Sequence, residues 1–145
     1  MSVYGNAPDS IAIVREFLVQ SGSALYTLVG TRIDTIGNYD NSQPFIIMNR
    51  RGGIEPDRAP YSNPSIQFKC YSGTGRLKDN RVGPKAASAV ALALDDKLNN
   101  AKNEKLTSGT LMSAYIQQPP QDLIDPEREY PFVLVFYDVR TNSST

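Results

Sequence analysis

The residues that most often carry out acid–base and metal chemistry are scarce in this chain. Its 145 residues contain no histidine and one cysteine, with 15 acidic and 15 basic side chains. Histidine is the commonest general base near neutral pH and the commonest metal ligand. A Ser-His-Asp or Cys-His nucleophile system therefore cannot form within these residues. The sequence predicts a protein that is not an enzyme and needs no cofactor.

The single thiol, Cys70, alternates with Ile66 and Phe68, which is the period-two pattern of a half-buried strand. A free cysteine on the apolar side of a strand usually behaves as a small inert hydrophobic group. We therefore expect a buried structural residue instead of a nucleophile. One cysteine forms no internal disulfide, which fits a reducing compartment.

Two other patterns resemble ligand sites only superficially. The segment Gly73-Thr-Gly75 matches neither the dinucleotide fingerprint nor the phosphate loop, so we expect a flexible turn between a strand and a helix. Asp95 and Asp96 are adjacent on a predicted helix and point in different directions, so they cannot share a metal. No metal site is predicted.

Charge is distributed unevenly along the chain although the net charge is zero. Residues 50–85 are mostly basic and residues 122–138 mostly acidic. Both segments could be ordinary solvated loops. Alternatively, a basic face on one subunit meets an acidic face on the next, and the complementary charge helps to set the orientation of the two subunits. The candidate interface or lumen residues are Arg50, Arg51, Arg58, Arg76, Lys78 and Arg81. Their proposed acidic complement is Asp122, Asp125, Glu127 and Glu129.

Hydrophobic periodicity predicts the elements that must position these charges. They are a helix over 11–18 that begins after a cap at Asp9 or Ser10, a short helical turn over 24–29 and a helix over 84–98. The predicted strands are 45–48, 66–70, 111–117 and 132–137, and the predicted loops are 50–64, 72–83 and 122–129. The resulting fold class is α+β: a mostly antiparallel sheet of about four strands, with two main helices on one face, the order α-β-β-α-β-β, and long polar loops. We expect a single domain, 1–145.

A succession of sequence blocks resembles the tail-terminator, or tail-completion, proteins of long-tailed bacteriophages, which include tail-to-head joining proteins. After the opening helix, the blocks that carry the resemblance are Leu28-Val-Gly-Thr-Arg-Ile33, Gln43-Pro-Phe-Ile-Ile-Met48, Pro64-Ser-Ile-Gln-Phe-Lys-Cys-Tyr-Ser72, the alanine-rich helix 85–98, Asp122-Leu-Ile-Asp-Pro-Glu127 and the strand 131–139. They span nearly the whole chain in the family's order. The long loop 50–64 departs from the compact hairpin expected of many members.

The resemblance implies a structural virion protein of the tail or neck, made in the host cytoplasm. It implies a hexameric ring of identical subunits that caps the tail tube, terminates its polymerisation and joins the tail to the head connector. The implied partners are further copies of the chain, the tail tube protein and the head connector or stopper protein, with genomic DNA passing through the lumen. The loop 50–64 would be an arm that reaches a neighbour.

Alternatives from other classes remain open. The chain could be another head–tail connector or neck protein, or a DNA-contacting module that uses the basic loops 50–85, whose binding would weaken steeply with salt. An enzyme that uses only carboxylates and lysines is the least supported alternative, since it would need two such groups in one pocket. Neither a signal peptide nor a membrane-spanning segment is predicted.

Overall fold

A computed structural model describes residues 9–36, 39–54, 61–79 and 81–142, without the side chains of 52–54 and 61–62. In chain order the elements are α1 (Ser10–Leu18), α2 (Ala24–Val29), β1 (Ile33–Asp34), β2 (Phe45–Ile54), β3 (Tyr61–Tyr71), α3 (Gly83–Asn99), β4 (Glu104–Lys105), β5 (Thr110–Ile124) and β6 (Pro131–Asn142).

The six strands form one mixed sheet in the order β1-β2-β3-β6-β5-β4. The pair β1–β2 is parallel and the other pairs are antiparallel. The sheet curls into a half-barrel with three helices. The predicted fold class, a sheet of about four strands with two helices in the order α-β-β-α-β-β, is therefore wrong.

The prediction failed mainly where strands run through residues that usually mark loops. The segment 50–64 was expected to be one long loop, but β2 extends to Ile54 and β3 begins at Tyr61. A register shift between Arg50 and Gly53 inserts an extra residue into β2 and lets the pairing resume at Gly53 and Pro64. Such a bulge tolerates glycine and proline inside a ladder. The remainder of the expected arm, 55–60, lies outside the described residues.

The last hairpin is also longer than predicted. Strand β5 passes through Pro119 and Pro120 to Ile124. Its pairing with β6 contains three register shifts, between Leu111 and Ser113, between Ile116 and Gln118, and between Gln118 and Gln121. The expected acidic loop 122–129 is therefore strand up to Ile124 and a short turn beyond it. The two-residue strands β1 and β4 are too short to produce a periodic signal in the sequence.

The helices begin where the sequence predicts. In α1 the Asp9 carboxylate accepts from the Ala12 amide at 3.1 Å, and in α2 the Ser23 hydroxyl accepts from the Tyr26 amide at 3.0 Å. Such caps satisfy first-turn amides that have no partner within the helix. Apolar side chains of the helices and of one sheet face form the main core, which includes the fully buried Phe68 and Cys70.

The sheet buries part of its other face as well. Phe45, Tyr71 and Phe132 form a smaller buried cluster on adjacent strands. The rings of Phe45 and Tyr71 stack with centroids 4.3 Å apart, and those of Tyr71 and Phe132 lie 5.1 Å apart. Offset aromatic contacts of this kind stabilise beyond the area they bury. The outer face is thus apolar at one end and polar at the other.

The buried Asn41 joins two loops at the apolar end of the sheet. Its side-chain amide donates to the Gly75 carbonyl at 2.9 Å, and its side-chain oxygen accepts from the Gly73 amide at 2.7 Å. A Cβ atom at Gly73 would lie 2.3 Å from the Pro44 nitrogen, so only glycine fits there. Gly73-Thr-Gly75 therefore forms a turn, as the sequence predicted, but Asn41 holds it in place instead of leaving it flexible.

We expect Asn41→Ala to lower the free energy of unfolding by about 1–3 kcal/mol, because it leaves the half-buried Gly73 amide and Gly75 carbonyl without their side-chain partner. Asn41 also has φ +59°, where alanine is strained. The matched control is Asp40→Ala, which removes only an exposed bond to the Ser42 amide. Urea unfolding at one protein concentration measures both; equal losses in the two variants would contradict the prediction.

Candidate assembly surface

Strand β5 exposes large apolar side chains from Tyr115 to its end. Tyr115 is 69% exposed and Ile116 46%, and Leu123 and Ile124 are 40% and 49% exposed. Single exposed apolar residues are common and need no explanation, but four on one strand favour a surface that contacts another protein. The stretch 115–124 of β5 is therefore the first candidate for such contact.

The outer edge of β5 is open over the same stretch. Strand β4 pairs only with Thr110 and Leu111, and the Asn103 amide adds one bond to the Met112 carbonyl. Between Ser113 and Ile124, no strand in the described part of the chain pairs along this edge. Open edges present unpaired amides and carbonyls that another strand can bind.

The turn between β5 and β6 is held by Asp125. Its carboxylate accepts from the backbone amides of Glu127 and Arg128 at 2.9 Å and 3.1 Å, and its own amide donates to the Tyr130 carbonyl. Glu129 adopts φ +60°, a left-handed conformation that closes the turn. Asp125, a predicted interface residue, therefore shapes the turn, while Glu127 and Glu129 are exposed on it.

The basic loop between β3 and α3 lies against this turn. The Leu77 amide donates to the Glu129 carbonyl at 2.9 Å. Leu77, Lys78, Arg81, Ile124 and Glu129 line a hollow of about 550 Å³ between loop and turn. Two of the predicted basic residues and one of the predicted acidic residues thus surround one hollow within a single subunit.

The other predicted residues lie apart from that hollow. Arg76 is exposed in the same loop, and Asp122 is exposed near the end of β5. Arg50 and Arg51 are exposed on β2, where the Arg51 Nε donates to Gln67 Oε1 at 2.7 Å. Arg58 lies outside the described residues. The basic set is therefore split between a strand edge and a loop.

A narrow apolar groove of about 320 Å³ runs between α3 and the last hairpin. Leu92, which is 68% exposed, and Ile116 lie on its two sides. The Tyr137 hydroxyl lies beneath them and donates to Asp95 Oδ1 at 2.5 Å. Burial, and then this hydrogen bond, raise the pKa of Tyr137 above its usual range. The tyrosine therefore stays protonated as a structural donor.

The polar end of the outer sheet face forms a shallower cleft of about 640 Å³. Its lining includes Arg51, Ser65, Tyr115, Asp138 and Arg140, from four different strands. Both signs of charge are present, so the cleft is not the strongly basic surface that duplex DNA requires. It continues around the strand edge to the exposed Tyr115.

The described residues hold no cluster of three or more side chains suited to a metal ion. Cys70 is fully buried, as predicted, and burial raises the pKa of its thiol. None of the described helices has the length and apolar character needed to span a bilayer.

The open edge of β5 cannot be predicted from alternation alone. The alternating pattern over 111–117 ends at Pro119 and Pro120, whereas the strand continues beyond them to Ile124. The available signal was the repetition of large apolar side chains at Tyr115, Ile116, Leu123 and Ile124 between polar residues. Large apolar side chains at these positions are not typical of a loop exposed to solvent.

Comparisons with known proteins give a result at the level of structure only. No family model matches the sequence, and no curated protein matches it. Among solved structures, the chain is similar to one from the "Virion of native gene transfer agent (GTA) particle", with a TM-score of 0.61 and 15% identity. The match covers 90% of this chain and 92% of that chain, so the two chains have a similar fold over most of their length.

We expect the Cys70 thiol to resist alkylation by iodoacetamide at pH 8 in the folded protein, because the thiolate is the reactive form and burial disfavours it. In denaturant one thiol per chain should react. The variant Lys102→Cys, which places a thiol at an exposed position, is the positive control. Reaction of native Cys70 at the rate of that control would contradict the assignment.

Proposed function

We propose that this chain is a structural virion protein that acts by assembling with copies of itself and with neighbouring particle proteins. The observation that carries the proposal is the similarity in fold, over 90% of this chain, to a chain of a gene transfer agent virion. The chain contains no histidine, the commonest general base near neutral pH. The exposed apolar strand fits a subunit with partners.

The specific role that we propose is that of a tail terminator, supported by the sequence blocks described above. Six copies would form a ring on the end of the tail tube, stop its polymerisation and present a surface to the head connector. Linked contacts of a ring act at high effective concentration, so weak single contacts suffice for tight capping. Genomic DNA would pass through the lumen.

The first test is the mass of the purified protein in solution over a range of concentration and salt. We expect a discrete oligomer, with the mass of a hexamer, that binds the ends of tubes polymerised from the tail tube protein. Binding along the tube wall, or a monomer that leaves tube growth unchanged, would overturn the terminator role. Binding to the head connector alone would favour the alternative of another neck protein.

The charged hollow provides a second test of self-assembly. We expect Arg81→Glu or Glu129→Lys alone to raise the concentration needed for half-assembly several-fold, since one exposed pair stabilises by about 0–1 kcal/mol and recurs at each contact. The effect should shrink in high salt. Lys102→Glu, at an exposed loop position, is the charge-matched control.

Mixing the two single variants separates contacts between subunits from contacts within one. If residue 81 of one copy faces residue 129 of the next, an equimolar mixture places opposite charges at every contact and restores assembly. If the pair lies within one subunit, only the double variant restores it. Normal assembly of both single variants would show that this charge pair has no part in the interface.

A DNA-contacting role is the second candidate, favoured by Arg76, Lys78 and Arg81 on one exposed loop. Phosphate contacts would make binding to a DNA duplex fall steeply between about 50 and 200 mM salt. Reversal of the loop charges should then weaken DNA binding without changing the mass of the oligomer.

A further inference from the structure

Helix α3 carries a stripe of exposed residues on the side that faces away from the sheet. Lys85, Ala89, Leu92 and Asp96 are all exposed and recur at intervals of four, three and four residues. With about 100° between successive residues of a helix, these four side chains lie within about 60° of one another. They lie opposite the buried face of the helix, which packs on the sheet.

The centre of this stripe is apolar. Leu92 is 68% exposed, whereas Leu94 and Leu98 of the same helix are fully buried. A single exposed leucine is common, so Leu92 alone does not define a surface. Its neighbours along the stripe, a small residue and two charges of opposite sign, give the surface a specific pattern.

The two charges of the stripe do not favour the helix that carries them. Lys85 lies in the first turn of α3 and Asp96 in its last turn. The N-terminus of a helix favours negative charge and the C-terminus positive charge, so both residues stand at the unfavourable end. Lys97, which has the favoured sign, lies outside the stripe and over the Phe17 ring at 4.2 Å.

The stripe is complementary to a second copy of itself. A twofold axis between residues 90 and 91, at the middle of α3, would bring two copies of the helix together antiparallel. Lys85 of each copy then lies opposite Asp96 of the other, and Ala89 lies opposite Leu92. A large apolar side chain thus meets a small one, which lets the two helices interdigitate closely.

The antiparallel arrangement also corrects the placement of the charges. Asp96 of one copy comes beside the first turn of the other helix, and Lys85 comes beside its last turn, where each sign is favoured. A parallel arrangement in register would instead place Lys85 beside Lys85 and Asp96 beside Asp96. The charges therefore select one orientation and one register.

We infer that the outer face of α3 is an interface between two copies of this chain, in the antiparallel register that pairs Lys85 with Asp96. The contact is isologous and closes at two copies. It goes beyond the proposed ring, because a cyclic ring alone contains no such axis. One helix pair covers less than the roughly 1,200 Å² of a standard interface, so we expect a reversible, concentration-dependent dimer.

Disulfide cross-linking tests this register. Helices packed about 8–10 Å apart bring facing Cα atoms within about 4–6 Å, which a disulfide can span. We expect an equimolar mixture of Ala89→Cys and Leu92→Cys to form covalent dimers under mild oxidation. Each variant alone should link less, because the two like residues are then displaced by about 4.5 Å along the helices.

The double variant Lys85→Cys/Asp96→Cys tests the symmetry of the contact. Its two thiols are too far apart along the helix to link within one copy, so a twofold contact should give covalent dimers and no larger species. Higher multimers would show a head-to-tail contact and overturn the inference. Circular dichroism verifies that each variant is folded.

The control mixture of Lys102→Cys and Leu92→Cys moves one thiol to an exposed loop. If a hexamer caps tail tubes while Ala89→Cys and Leu92→Cys link no better than this control, the twofold inference is wrong and the ring stands. If they link while no hexamer forms, the inference stands and the ring is wrong. If neither occurs, both are wrong.

Charge reversal on the stripe gives an independent measurement by sedimentation equilibrium. Lys85→Asp or Asp96→Lys alone should raise the dissociation constant of the dimer at least fivefold, because each dimer then contains two repulsive pairs. An equimolar mixture of the two variants should restore dimerisation, since opposite charges then meet at both ends of the contact. Lys102→Glu should leave the constant unchanged; unchanged single variants, or a mixture that stays dissociated, would refute the register.

Discussion

The antiparallel pairing of β3 with β6 is the interaction on which the rest of the structure depends. It extends from Tyr61 opposite Asn142 to Tyr71 opposite Phe132 and joins segments far apart in sequence. On one face these strands bring Phe68 and Tyr137 under the helices, with ring centroids 5.7 Å apart. Long-range pairing of this kind is entropically costly to form, and the apolar burial along both strands offsets that cost. Once β3 and β6 are paired, their outer edges provide the backbone groups with which β2 and β5 pair.

The elements that could be predicted from the sequence are those whose signal is local. The cap at Asp9 and the small apolar face of α3 depend on residues a few positions apart, so the positions of these helices could be predicted. The burial of Cys70 followed from simple alternation. The strands were cut short wherever glycine or proline appeared, because bulges at Gly53 and Pro120 are stabilised by partners that are distant in the chain. The fold class was wrong for that reason.

The candidate surface was only partly predictable for a related reason. The sequence shows which residues are charged, and Lys78, Arg81 and Glu129 are exposed as expected of charged residues. It does not show that a loop after β3 and a turn before β6 meet around one hollow, since that depends on the sheet order. Nor does it show which strand lies at an edge. The apolar residues of β5 gain their significance only when that position is known.

The bond between Leu77 and Glu129 gives the subunit a mechanical connection. Asn41 hydrogen-bonds Gly73 and Gly75 to the loop that precedes β2. Two residues after Gly75, the Leu77 amide donates to the Glu129 carbonyl in the turn between β5 and β6. A force applied at the turn is therefore shared with the opposite side of the sheet, without passing strand by strand through the ladder. In a particle component that transmits load, these hydrogen bonds limit how far the β5–β6 hairpin can move relative to the rest of the subunit.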